Sequence, residues 1–142
     1  MATYAITGAN RGLGLALIQQ LLTLPSSSIA TIYAISRSPP SGSYASLIAA
    51  HESRLVPIVA AITDTESVQQ AAKEIEAKLE GKGLDVLINN AGVGPWHPDG
   101  VKSVSAEDLS RTFDVNVGGP QRVMVAFLPL LERGAGRKVV NV

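Results

Sequence analysis

The chain of 142 residues contains no cysteine, which excludes a disulfide framework, a thiolate zinc site and a cysteine nucleophile. Only two histidines are present, His51 and His97. That is too few for a His-based metal cluster, so no metal site is expected. Net charge is also lacking, because twelve Lys and Arg balance twelve Asp and Glu. With no polybasic run either, neither nucleic acid nor an anionic membrane surface is expected as the main partner. The longest apolar run, Val123 to Leu131, is interrupted by Pro129 and is far too short to span a bilayer. No cationic stretch precedes an apolar segment near Met1, so no secretory signal is read there. A cytoplasmic, soluble protein of one domain, residues 1–142, is the expectation.

What is present alternates. Apolar runs of strand length follow stretches of helical period, the pattern of βαβ units and a parallel sheet. The first strand is read at Thr3–Thr7 and is followed by a glycine-rich turn. A helix then carries Leu13, Ala16, Leu17, Leu21 and Leu24 as its apolar stripe. A second strand is placed near Ala30–Ser36 and a short helix near Tyr44–Glu52. A third strand follows at Leu55–Ile62, with Pro57 near its start or at a sheet edge. Thr63 and Glu66 have capping-box spacing, while Asp64 also suits a helix cap. Val68, Ala71, Ala72, Ile75 and Leu79 form the stripe of the helix that follows. The fourth strand, Leu84–Asn89, is nearly all apolar, as for a strand covered on both faces. Ser105 begins a long helical stretch to about Arg133, interrupted near Gly118, Gly119 and Pro120. Lys138–Val142 reads as a fifth strand.

Between the first strand and first helix lies Thr7-Gly8-Ala9-Asn10-Arg11-Gly12-Leu13-Gly14. Glycine there permits positive φ and close backbone approach, and a helix N-terminus presents free N–H groups to phosphate. A tight βα turn without a ligand is the plainer alternative. The spacing Gly-x-x-x-Gly-x-Gly differs from the common Gly-x-Gly-x-x-Gly and, with Thr7 ahead of it, resembles the short-chain dehydrogenase/reductase family. Asn89-Asn90-Ala91-Gly92 at the end of the fourth strand is similar to a second signature of that family. Asn116 in Asp114-Val115-Asn116-Val117 is similar to its helix asparagine.

The resemblance implies a doubly wound α/β sheet in strand order 3-2-1-4-5, matching only the family's N-terminal, cofactor-binding part. It also implies an oxidoreductase acting on a small carbonyl or alcohol substrate. Gly8, Asn10, Arg11, Gly12, Leu13 and Gly14 would hold the pyrophosphate region, and Asn90, Ala91 and Gly92 the wall near the riboses. An acidic residue after the second strand would select NAD. Ser36-Arg37-Ser38 stands there instead, so NADP is expected, with Arg37 and Arg11 on the 2′-phosphate. Arg37 as a solvated loop residue is the alternative. Family members usually carry Asp where this chain has Ala61, before Ile62 and Thr63, so contact with the adenine is left to backbone groups around Ile62.

The family's catalysis uses Asn, Ser, Tyr and Lys. The tyrosines are Tyr4, Tyr33 and Tyr44, and none has Lys four positions later. Of the catalytic set only Asn116 is present, and beside Gly118-Gly119-Pro120 it can equally mark a kink. The chain is therefore expected to bind nucleotide but not to transfer hydride. The alternative function is a non-catalytic nucleotide-binding or interaction protein derived from the family. Trp96 and His97 fall in the loop where substrate would enter, as lid or contact residues. Val123, Met124, Phe127, Leu128, Leu130 and Leu131 cover more than one helix face. With a fifth strand bare at its outer edge, this suggests a homo-oligomer or a partner that supplies the missing strand.

Overall fold

A computed structural model describes residues 1–94 and 99–142. Five parallel strands form one sheet in the order β3-β2-β1-β4-β5. They are β1 (Ala2–Thr7), β2 (Ile29–Ser36), β3 (Leu55–Val59), β4 (Val86–Asn89) and β5 (Lys138–Asn141). The order of the doubly wound fold is as expected. Pro57 lies in β3, an edge strand, where a missing N–H costs least.

Helices α1 (Gly12–Thr23) and α2 (Gly42–Ala50) cover one face. Their Ile18, Leu22 and Tyr44 pack with Ile6, Ile32 and Ile88 of the sheet. The other face lies under α3 (Thr65–Leu79) and α5 (Gly119–Arg133), whose Ile75, Phe127 and Leu130 meet Ala5, Leu87 and Ile58. Between β4 and α5 run a 3₁₀ turn (Gly100–Ser103), α4 (Ala106–Phe113) and a π-turn (Asp114–Gly118).

Several sequence expectations shift. The α1 stripe is centred on Gly14, Ile18 and Leu22 rather than on Leu13, Ala16 and Leu24, and Leu13 and Leu24 are exposed. Leucines and Ile18 point in nearly every direction around α1, so periodicity left its buried face open. Gly14 decides the rotation, because only a residue without Cβ fits against the Gly8 carbonyl. β3 ends at Val59, three residues early; the Ala60 N–H still donates to the Ser36 carbonyl at 2.9 Å, and Ala61 to Thr63 then turn away to bound a cleft. The α3 cap is Asp64, whose carboxylate accepts from the Glu66 and Ser67 amides, and not a Thr63–Glu66 box. The true capping box is Ser105 with Asp108 at α4. The long helical stretch is not interrupted at Gly118, Gly119 and Pro120; it runs on to Arg133 through the π-turn, which carries Asn116 and ends at Gly118. Trp96 and His97 lie outside the described residues.

Candidate functional site

The strand order reverses at β1, which has β2 on one side and β4 on the other, and loops leaving the two sides diverge there. A cleft of about 490 Å³ opens at the carboxyl ends of the strands, within the range of small-molecule sites. Its walls are the glycine turn Gly8 to Leu13, the β2 end with Ser36 and Arg37, the run Ala60 to Thr63, and Asn90, Ala91, Gly92 and Val93. Every residue expected at the nucleotide borders this cleft except Gly14 and Asn116. Gly14 lies beneath it. A Cβ there would stand 2.2 Å from the Gly8 carbonyl oxygen and 2.6 Å from Asn90 Nδ2.

The two signature segments are bonded to each other. Thr7 Oγ1 accepts from the Asn90 and Ala91 amides, each at 3.0 Å. Asn90 Nδ2 returns two bonds, to the carbonyls of Thr7 at 3.0 Å and Gly8 at 3.2 Å. The buried Thr7 and the Asn90 amide therefore fix the glycine turn against the β4 loop, two of the walls of the cleft. Gly8 holds φ at +68° and Gly12 at +55°, both in the left-handed region. Among the described residues no side chain caps the N-terminus of α1. Its first N–H groups and partial positive charge are thus left for an anion.

Charge in the cleft is of one sign. Arg11 and Arg37 line it and, among the described residues, form no ion pair and meet no Asp or Glu in its walls. The β2 end is shaped locally, with Ser36 Oγ donating to the Ser38 carbonyl at 2.9 Å. At the far wall Ala61 offers no side-chain acceptor, and its N–H donates to Ser67 Oγ at 3.1 Å.

Asn116 sits beside the cleft and bonds to Val93 in its wall. Its Oδ1 accepts from the Val93 N–H at 2.9 Å, and its Nδ2 donates to the Val93 carbonyl at 2.7 Å. One side chain thus satisfies both polar groups of a loop residue that has no strand partner. A second cavity, about 580 Å³, is bounded by Asn116, Asn89, Asn141, Gly92 and Pro120. The tyrosines are elsewhere. Tyr33 and Tyr44 are buried, and the Tyr44 hydroxyl donates to the Ala34 carbonyl at 3.1 Å. Burial pushes both phenols above their ordinary value, with the Glu80 charge adding to it at Tyr33 and a Ser36 hydrogen bond opposing it at Tyr44. Val115 and Thr63, which stand inside sequence motifs without a site role, also line the cleft, as does Val93, which no motif or period in the sequence marks.

Residues 2–142 match the family described as short chain dehydrogenase. The chain belongs to that family. Among curated short-chain dehydrogenases it is 33% identical to the short-chain dehydrogenase/reductase AacuF of Aspergillus aculeatus, across 100% of this chain and 54% of that protein. It is 42% identical to human retinol dehydrogenase 5 over 96 residues, which are 63% of this chain and 28% of that one. Solved relatives include an NADPH-bound carbonyl reductase from chicken fatty liver, at 33% identity and TM-score 0.81, covering 94% of this chain and 52% of that one. Carbonyl reductase Sniffer of D. melanogaster superposes with TM-score 0.86 at 28% identity, over 98% and 60% of the two chains. The chain spans about half the length of the curated short-chain dehydrogenases matched over nearly all of it. Among the described residues no helix is long and apolar enough to cross a membrane.

Proposed function

We propose that this chain is the NADP(H)-binding part of a short-chain oxidoreductase that reduces a small carbonyl compound or oxidises the corresponding alcohol. The observation that carries the choice of nucleotide is the β2 end. Arg37, without an ion-pair partner among the described residues, and Ser36 stand where a carboxylate would be needed to accept from a free ribose 2′-hydroxyl. A guanidinium suits a phosphate dianion through paired N–H donors, and Arg11 offers a second. The nicotinamide, when bound, supplies the hydride chemistry. The residues of this chain bind and orient: the glycine turn and α1 N-terminus take the pyrophosphate, and Asn90 to Gly92 form the ribose wall. Asn116 holds the Val93 loop behind them.

Proton transfer is the part these 142 residues do not supply. Tyr33 and Tyr44 are buried phenols with raised pKa, unsuited to donate a proton to a carbonyl in the cleft. General acid assistance is worth about 10²–10⁴-fold in rate. Hydride transfer by this chain alone is therefore negligible in the proposal, and NADPH consumption with a carbonyl substrate should not exceed a protein-free control.

The test is Arg37→Asp with calorimetric titration of both dinucleotides. NADPH binding should weaken by about 1.5–3 kcal/mol, the scale of hydrogen bonds to a charged group, while NADH binding is spared. An equal effect on the two would overturn the assignment of Arg37.

A further inference from the structure

We infer that Arg122 is a positioning residue that ties the two walls of the cleft together, so that the Ile62 wall and the Val93 wall cannot move independently. Arg122 lies on the first turn of α5, outside the cleft, with its side chain 24% exposed. Its Nη2 pairs closely with Asp114 Oδ1 at the start of the π-turn. Its Nη1 makes longer contacts, each of 3.4 Å, to the Asp114 carbonyl and to the Ile62 carbonyl, sixty residues away in sequence. One guanidinium therefore joins α5, the π-turn and the loop after β3.

Packing supports the same link. A Cβ on Gly119 would stand 2.6 Å from Ile62 Cδ1, so the helix backbone rests directly on the Ile62 side chain. A Cβ on Gly118 would meet both Arg122 Nη1 and Asp114 Oδ1, at 3.0 and 3.1 Å. The pair thus lies across a glycine that leaves room for it. The π-turn is where a brace is needed. In a π-turn the Gly119 N–H bonds to the Asp114 carbonyl, one residue beyond the α-helical partner. That turn carries Asn116, whose two bonds hold Val93 in the opposite wall. The connection runs from Ile62 through Arg122 and Asp114 to Asn116 and Val93, and both ends border the same cleft.

This inference rests on the nucleotide-binding proposal for its consequence but not for its geometry. Arg122→Met keeps the aliphatic stem and removes every donor, whereas Arg122→Lys keeps a charge that can still reach Asp114. In Arg122→Met, amide exchange at Val93 and at Asp64, whose N–H donates to the Ala61 carbonyl, should speed up by at least about tenfold, as for loss of a charged hydrogen bond. Exchange at Ile6 in β1 should not change. NADPH affinity should fall by a similar factor at a temperature where the variant is fully folded, and Arg122→Lys should fall between. Adenosine 2′,5′-bisphosphate, which carries no nicotinamide half, should slow Val93 exchange in the wild type and lose that effect in Arg122→Met.

Unchanged exchange at Val93 and Asp64 in the variant would overturn the strap. Faster exchange with unchanged NADPH affinity would make Arg122 a stabilising residue only and overturn its positioning role. If the wild type binds neither NADPH nor NADH, the nucleotide proposal fails, and the exchange comparison still decides the strap.

Discussion

Replacing Thr7 by Val keeps the shape of the side chain and removes one oxygen. That oxygen accepts from two backbone amides, Asn90 and Ala91, each at 3.0 Å, and donates weakly to the Ile88 carbonyl at 3.5 Å. Thr7 is 1% exposed, so water cannot reach the position to replace it. An orphaned buried donor costs about 1–3 kcal/mol, and here there are two. Asn90 and Ala91 are only partly buried, which puts each near the lower end. The added methyl returns little, since it faces polar groups rather than the core. A net loss of about 2–4 kcal/mol follows. For a chain of this size that lowers Tm by roughly 7–13 °C. Urea unfolding should show a lower midpoint with an unchanged slope, because the surface exposed on unfolding stays the same. Thr7→Ser, which keeps the oxygen, should lose about 1 kcal/mol for its methyl. The Val variant should also bind NADPH more weakly, since the spacing between glycine turn and β4 loop is no longer fixed. A loss below about 0.5 kcal/mol in Thr7→Val, or equal losses in Ser and Val variants, would show that the Thr7 oxygen does not hold these two amides.

Gly14→Ala should destabilise by about 1–3 kcal/mol despite the better helix propensity of alanine, because the new methyl meets the Gly8 backbone at 2.2 Å. Gly94→Ala, whose Cβ meets nothing within 4 Å among the described residues, should stay within about 0.5 kcal/mol, and denaturant midpoints of the two separate the cases. Asp85 is pushed up by burial but held lower overall by N–H donors of Thr3, Gly136 and Ala135 and by the Thr3 hydroxyl. Its folded pKa thus lies below the unfolded value of about 3.9, so its contribution is complete above that value and is lost as pH falls through the lower folded one. Asp85→Asn should remove that part of the acid dependence, which denaturation midpoints measured between neutral and acid pH will show. All four residues of β5 are exposed, and among the described residues no strand pairs with the outer edge that Val139 and Val140 form. The 142-residue chain should therefore self-associate, and a monomer by light scattering with strong exchange protection at Val139 and Val140 would contradict this.

The sequence alone determined the fold class, the strand order and most of the cleft. Glycine at positions 8 and 12 is required by backbone φ, a local property, and Val68, Ala71, Ala72, Ile75 and Leu79 repeat at the helical period because one face of α3 is buried. Such features recur along the chain and can be read from it. The rotation of α1 could not, because its apolar residues point all round and only the contact of Gly14 with Gly8 and Asn90 chooses a face. The end of β3 was equally hidden, since Ala60 to Ile62 are as apolar as the strand before them and only the departure of the chain from β2 ends the ladder. Asn116 was visible as a residue but not as a clamp on Val93, a partner 23 positions away in a loop without periodicity. Arg122 carried no signal at all. A single exposed-looking arginine on an amphipathic helix is ordinary, and its role exists only because folding brings Ile62 and Asp114 to the same guanidinium. Local backbone demands and burial periods are written along the chain, whereas contacts between distant segments depend on the packing of whole elements and were decided by the tertiary structure.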